Sequence, residues 1–112
     1  MAQSHDEALL PAVQPILDPD EELSIAVWAS DAIVAVTDRR LFVKVNKRLA
    51  LDVAYPGLRR VQFDIERRRP ATLVIVPESP TLEAQVLSIP VEEIPRCAEA
   101  LGIVSQRLAA AT

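Results

Sequence analysis

The chain has 112 residues, of which half are hydrophobic and a quarter charged, with 12 Lys and Arg against 16 Asp and Glu. This length suffices for one domain with a modest core, and the composition is that of a globular protein. Two glycines exclude a glycine-rich phosphate-binding loop, and one Cys with one His excludes an internal disulfide and a structural zinc site of Cys and His.

The beginning of the chain differs from a secretory signal, because Asp6 and Glu7 stand where such a signal carries Lys or Arg before an apolar run. Every apolar stretch is far shorter than the roughly 20 residues that a transmembrane helix needs. We therefore expect a cytoplasmic protein without cofactor or metal. The lone Cys97 is expected to be a small buried residue on a helix.

Charge is distributed unevenly along the chain. Residues 1–38 carry a net charge of −8, residues 39–69 carry +7, and residues 70–112 carry −3. Such asymmetry predicts either a binding face or two surfaces that neutralise each other within or between subunits. Strands distant in sequence lie side by side in a small β domain, which favours local neutralisation or self-association.

Residues 1–19 are predicted to be a helical or irregular segment, and residues 20–112 the main domain. Pro11, Pro15 and Pro19 permit only short helical pieces in the first part. Apolar residues between these prolines, such as Leu9 and Val13, are expected to anchor the segment.

Seven β-strands are predicted after it, because β-branched residues dominate and turn signals recur at intervals typical of all-β domains. Short connections predict that consecutive strands are antiparallel neighbours. A strand that is apolar throughout, Ile33–Val36, is expected to be covered on both sides. The predicted strands are Leu23–Val27, Ile33–Val36, Leu41–Val45, Leu49–Tyr55, Val61–Glu66, Leu73–Val76 and Glu83–Ile89.

Two turns between these strands carry specific expectations. Asn46 is able to adopt the left-handed conformation in the turn before Arg48. Pro56 and Gly57 occupy the positions that favour a type II turn after Tyr55.

A helix is predicted from about Ile94, because apolar residues recur with the helical period up to Leu108. Its polar residues are expected to face away from this stripe. The stripe consists of Ile94, Cys97, Ala98, Leu101, Val104 and Leu108, and the polar set of Arg96, Glu99, Gln106 and Arg107. Gly102 is expected to permit close packing. The apolar face would cover an open end of the β structure.

Seven antiparallel strands followed by one amphipathic helix resemble the pleckstrin-homology superfold. The acidic start Asp20–Leu23, the turn from Thr37 to Leu41, and the Tyr-containing turn from Tyr55 to Val61 resemble the bacterial pleckstrin-homology-like domains. The resemblance covers about residues 20–110. It implies a mainly β fold, a seven-stranded antiparallel barrel or sandwich capped by a C-terminal α-helix and preceded by a short N-terminal helical segment. A different antiparallel barrel or sandwich with a terminal helix is the alternative.

Several side chains are singled out for structural roles. Thr37 and Asp38 can hydrogen-bond backbone N–H groups and hold their hairpin. Arg40 can donate two hydrogen bonds to a carboxylate or to loop carbonyls. Tyr55 is expected in the core or in a turn with its hydroxyl paired, whereas Trp28 is predicted to face outward, where it is a candidate partner contact.

Binding functions are more compatible with these residues than catalysis, because no nucleophile–base pair is recognisable. Eukaryotic pleckstrin-homology domains typically bind phosphoinositides with basic residues around the first hairpin, but residues 29–32 contain Asp31 and no base. Candidate anion or partner contacts are instead Arg39, Lys47, Arg48, Arg67, Arg68, Arg69 and Trp28. Nucleic acid is an unlikely partner, since only four aromatic residues could stack on bases.

The leading prediction is therefore a non-enzymatic protein-interaction or self-assembly module. The resemblance implies association through exposed strand edges, sometimes into rings, which makes a homo-oligomer the expected state. The alternative is peripheral binding to anionic membrane surfaces through the basic residues 39–69.

Overall fold

Two antiparallel sheets carry the predicted seven strands in a computed structural model that describes residues 5–111, with side chains described from residue 9 onward. The strands are β1 (Leu23–Trp28), β2 (Ile33–Thr37), β3 (Arg40–Val45), β4 (Arg48–Ala54), β5 (Leu58–Asp64), β6 (Ala71–Pro77) and β7 (Gln85–Ile89). Helix α1 (His5–Val13) precedes them and helix α2 (Ile94–Ala111) follows. Short 3₁₀ turns occupy Gln14–Ile16, Tyr55–Gly57 and Val91–Glu93.

The strands form two separate sheets that do not close into a barrel. Of the two predicted forms, barrel or sandwich, the closed barrel is therefore wrong. The first sheet has the order β1-β2-β3-β4 and the second has the order β5-β6-β7. A backbone hydrogen bond from the Ser30 N–H to the Ser88 carbonyl, at 2.9 Å, links the turn after β1 to β7. The 3₁₀ turn Tyr55–Gly57 separates β4 from β5 and redirects the chain into the second sheet.

The core lies between the inner faces of the two sheets, as the alternation of apolar residues predicts. Val36, Leu41 and Val43 from the first sheet and Leu73 and Ile75 from the second are almost fully buried. Burying each such side chain contributes about 1.5–3 kcal/mol.

Helix α1 covers the outer face of the first sheet, which explains the strand that is apolar throughout. Val13 packs against Ala35 of β2 and Phe42 of β3, and all three are fully buried. Val34 and Val36 alternate with Ala35 and point into the main core. The two-sided burial predicted for this strand is confirmed.

Helix α2 begins at Ile94 as predicted, but its buried face differs from the predicted stripe. Ala98 is exposed, whereas Ala100 is buried beside Cys97 and Val104. The helix is therefore rotated slightly relative to the stripe read from the sequence.

Two arginines of α2 also differ from the prediction, because they reach the first sheet rather than facing away from it. Arg96 Nε donates to the Ala26 carbonyl at 2.7 Å. Arg107 donates to the Thr37 carbonyl and to Ser24 Oγ, each at 3.0 Å. Their apolar stems extend beside the buried stripe and place the guanidinium groups on polar atoms at the sheet.

The turns confirm one expectation and correct another. Asn46 has a φ of 54°, in the left-handed region as predicted. Arg68 has a φ of 63°, which the sequence did not indicate. The type II turn expected at Pro56 and Gly57 is wrong, because residues Tyr55–Gly57 form a 3₁₀ turn and Gly57 does not have a positive φ. Gly57 is required instead for space, since an added Cβ would lie 2.7 Å from Val53 Cγ2.

The replacement of Gly57 with alanine and the replacement of Gly102 with alanine should have opposite effects on stability. Gly57→Ala is expected to lower the free energy of unfolding by about 1–3 kcal/mol through overpacking against Val53. Gly102→Ala is expected to raise it by up to about 1 kcal/mol, because its Cβ would meet nothing within 4 Å. The close packing expected at Gly102 is thus absent. Urea unfolding followed by circular dichroism measures both values, and a Gly57→Ala protein as stable as the wild type would contradict the prediction.

Candidate interaction surfaces

A cluster of charged side chains joins the start of β1 to the turn between β2 and β3. Arg40 donates from Nε to Glu21 Oε2 at 2.9 Å and from a terminal nitrogen to Glu21 Oε1 at 2.8 Å. It also donates to Asp52 Oδ2 at 2.8 Å and to the Ile16 carbonyl at 2.8 Å. The Glu21 side chain is completely buried. Arg40 is therefore the predicted bidentate donor, and its partners lie on three parts of the chain.

Thr37 and Tyr55 complete this cluster. The Thr37 hydroxyl donates to Glu21 Oε2 at 2.6 Å and accepts the N–H groups of Arg39 and Arg40 at 3.1 and 3.0 Å. The Tyr55 hydroxyl contacts the carbonyls of Thr37 and Arg40 at 2.5 and 3.0 Å. Because their polar groups are paired within the protein, we assign these residues to holding the turn rather than to binding a ligand.

The electrostatics of the cluster favour its charged form. Hydrogen bonds from Arg40 are the main reason that the pKa of Glu21 falls to about 2, and burial of the carboxyl opposes this shift. The same contacts raise the pKa of Arg40. Burial raises the pKa of Tyr55, so its hydroxyl stays protonated and able to donate.

Acids of the first third of the chain are neutralised locally by bases that follow them. Arg39 lies 2.6 Å from Asp20 Oδ2 and 3.5 Å from Asp18 Oδ2, and Arg40 pairs with Glu21. Asp38 Oδ1 accepts the N–H of Glu22 at 3.0 Å, which ties its turn to the same acidic segment. Local neutralisation, one of the two expectations from the charge pattern, is therefore present at this end of the basic segment.

Other bases have no such partner among the residues that the structure describes. Seven of the twelve Lys and Arg side chains have no hydrogen bond, ion pair or ring contact among the described residues, namely Lys47, Arg48, Arg59, Arg60, Arg67, Arg68 and Arg69. Lys47 and Arg48 lie at the β3–β4 turn, and the three consecutive arginines lie at the β5–β6 turn of the other sheet. These two predicted contact groups occupy turns of different sheets.

Arg59 and Arg60 line a groove that the sequence did not indicate. It has a volume of about 390 Å³ and lies between β5 and α2. Its apolar lining comes from both elements, and Ser105 adds a hydroxyl. The lining residues are Arg59, Arg60, Val61, Leu101, Val104, Ser105 and Leu108. The signal available in the sequence was the pair of bases before Val61, but their proximity to α2 required the tertiary structure.

Trp28 faces outward as predicted, with 52% of its surface exposed. Its backbone N–H donates to the buried Glu93 carboxylate at 2.9 Å, which fixes the end of β1 against the 3₁₀ turn that precedes α2. The indole borders a groove of about 230 Å³ with Pro90 and Glu92. It also borders a second groove of about 290 Å³ that contains Asp31 and Lys44.

Comparison with solved structures identifies the fold. A pleckstrin homology domain from Shewanella amazonensis SB2B aligns with 96% of this chain and 91% of its own, with a TM-score of 0.67 and 17% identity. A DUF1696 family protein with a pleckstrin-homology domain from Shewanella loihica PV-4 aligns with 95% of this chain and 99% of its own, with a TM-score of 0.65 and 15% identity.

The chain has the fold of bacterial pleckstrin-homology domains. The resemblance found in the sequence is thereby confirmed, and it extends over nearly the whole chain. No protein-family profile and no curated protein matches the sequence.

The first hairpin of this pleckstrin-homology fold has little basic character. Asp31 and Ser30 line the groove beside it together with Lys44. The Lys44 ammonium already donates to the Ala12 carbonyl at 2.6 Å, so it anchors the end of helix α1. The departure from the phosphoinositide-binding pattern seen in the sequence therefore persists in three dimensions.

Three further features of residues 5–111 bear on metal binding, thiol chemistry and membrane insertion. No group of three or more His, Cys, Asp or Glu side chains is arranged to hold a metal ion in this part of the chain. Cys97 is buried, and burial raises the pKa of its thiol to about 12, which makes it unreactive at neutral pH. Across the same residues, no helix combines the length and apolar character needed to cross a bilayer.

Proposed function

We propose that this chain is a non-enzymatic, cytoplasmic module that binds proteins, foremost further copies of itself. The observation that carries the proposal is Trp28, a half-exposed indole that lies between two grooves on the surface. Large exposed aromatics are enriched where proteins bind each other. Val91, which is 45% exposed, follows Pro90 at the same end of the domain and extends the apolar surface.

Open strand edges and complementary charge support the same proposal. The outer strands of the two sheets are β1, β4, β5 and β7. Glu93 and Arg96 already bond backbone groups of β1, so β4, β5 and β7 are the edges that can pair with another chain. Val86 on β7 is 69% exposed, so an apolar side chain accompanies one of these edges. The negative charges of Glu92 and Asp31 beside Trp28 are opposite in sign to the seven bases elsewhere on the surface that have no partner within residues 9–111. Surfaces of opposite charge on one chain favour contacts between copies at low salt.

Replacing Trp28 with Ala should weaken self-association by about 30-fold or more, because interface tryptophans commonly contribute 2 kcal/mol or more. Light scattering at low salt and high concentration should give a multimeric mass for the wild type and a smaller mass for Trp28→Ala. Leu82→Ala is the matched control, since Leu82 is also an exposed apolar residue, at 42%, but lies in the loop before β7. If Trp28→Ala has the same mass as the wild type, Trp28 does not lie in the interface between copies.

Binding to an anionic membrane surface is the second candidate. It is favoured by one observation, that Lys47 and Arg48 at the β3–β4 turn and the three arginines of residues 67–69 have no partner in the described part of the chain. Each Lys or Arg that lies close to an anionic membrane surface contributes about 1 kcal/mol of attraction to it. Against this candidate stands the separation of these bases into turns of two different sheets.

Vesicles rich in phosphatidylserine should therefore sediment little of the protein. Cosedimentation measured for the wild type and for a variant with Arg67, Arg68 and Arg69 replaced by Ala tests this expectation. Strong binding that salt weakens and that the triple variant loses would promote the membrane candidate over self-association.

A further inference from the structure

The groove between β5 and α2 has the shape and backbone surroundings of a site for an extended peptide. Strand β5 is an outer strand, bonded on one side only, to β6. The Leu58 N–H donates to the Tyr55 carbonyl of the preceding turn, but among the described residues no backbone group of residues 59–64 has a hydrogen bond outside the β5–β6 ladder. An unpaired strand edge can accept the backbone of an added strand. Helix α2 forms the opposite wall, so a segment lying along β5 would be enclosed on two sides.

The side chains of the groove define the chemistry of such a segment. Val61, Leu101 and Leu108 are only half-buried, so they offer an apolar surface to alternate side chains of a guest strand. Arg59 and Arg60 are exposed at the groove and have no partner among the described residues. Free guanidinium groups beside an apolar surface are complementary to carboxylates that follow apolar residues in an extended peptide.

We propose that this groove binds an extended, acidic segment of a partner protein, with its apolar side chains against α2 and its carboxylates on Arg59 and Arg60. The inference rests on the proposed function only in that the chain binds proteins. It concerns a different surface from Trp28, which lines two other grooves.

Selection of random linear 12-residue peptides displayed on phage tests the proposal with the full-length chain. We expect enrichment of peptides that combine Asp or Glu with apolar residues. Their affinity, measured by fluorescence anisotropy with the synthetic peptides, should fall about tenfold or more for Arg59→Glu/Arg60→Glu. The matched control is Arg67→Glu/Arg69→Glu, which changes the net charge equally at the β5–β6 turn and should bind as the wild type does.

A second variant tests the groove without changing charge. Ser105 is exposed on α2 and lines the groove, so Ser105→Phe should block it while the helix remains folded. Circular dichroism checks the fold of each variant, and amide shifts on adding a selected peptide should map to β5 and α2. Full affinity in both Ser105→Phe and Arg59→Glu/Arg60→Glu, or shifts confined to other elements, would overturn the proposal.

The mass of the Arg59→Glu/Arg60→Glu variant separates this inference from self-assembly. If the variant has the same mass as the wild type and the selection enriches no peptide, the peptide site is overturned while self-assembly is unaffected. If the variant has a smaller mass than the wild type and no peptide is enriched, the groove binds a second copy of the chain, which likewise overturns the proposal. Enriched peptides that bind a monomeric wild-type chain at this groove would support the inference while refuting self-assembly.

Discussion

Replacing Arg40 with Leu is expected to lower the free energy of unfolding by about 3–5 kcal/mol, the cost of leaving one member of a buried ion pair alone. Arg40 donates two hydrogen bonds to Glu21, whose side chain is fully buried, and one to Asp52. Its guanidinium also lies 5.1 Å from the centre of the Phe42 ring, so the substitution removes packing as well as charge. Urea unfolding followed by circular dichroism measures the loss.

The neighbouring arginine supplies the matched control. Arg39 pairs with Asp20 and Asp18, but its side chain is 43% exposed and theirs are more exposed still. Exposed ion pairs are screened by solvent, so Arg39→Leu should leave the unfolding midpoint nearly unchanged. Equal losses for the two variants would contradict the structural role assigned to Arg40.

Acid should destabilise the protein through Glu21. Its folded pKa of about 2 lies below the ordinary value of 4.5, because Arg40 and Thr37 hydrogen-bond the carboxylate. The stabilisation is therefore fully present above about pH 4.5 and is lost progressively as the pH falls toward 2. The depressed pKa corresponds to about 3 kcal/mol of stability at neutral pH.

Glu21→Gln isolates this contribution from that of the other carboxyl groups. Glutamine cannot ionise, so the variant should be less stable than the wild type at neutral pH, and the difference should shrink between pH 4.5 and 2. Chemical unfolding at several pH values measures the difference. A constant difference across this range would show that ionisation of Glu21 does not contribute to stability.

Local patterns in the sequence predicted much of this fold because they report burial directly. The apolar run of β2 indicated a strand covered on both sides, and α1 packing on Ala35 provides the second cover. The left-handed conformation of Asn46 follows from its short polar side chain in a tight turn. The start of α2 at Ile94 follows from the helical period of the apolar residues and from Pro95 in the first turn.

Features that depend on two distant segments could not be predicted in the same way. Arg96 and Arg107 were placed on the solvent side of α2, yet both reach backbone carbonyls of the first sheet about 70 residues away. The sequence predicted that Gly57 is needed for a turn with a positive φ. In the structure a glycine is needed there because Val53 lies too close for a side chain. The groove beside Arg59 and Arg60 exists only because α2 lies across from β5.

Sedimentation velocity of the wild-type chain at low salt, over a range of concentrations, tests most directly whether this pleckstrin-homology fold assembles with itself. We expect a species whose mass is a multiple of the 12.3 kDa chain mass and which dissociates as salt is added. A single 12.3 kDa species at every concentration would show that the chain does not assemble with itself.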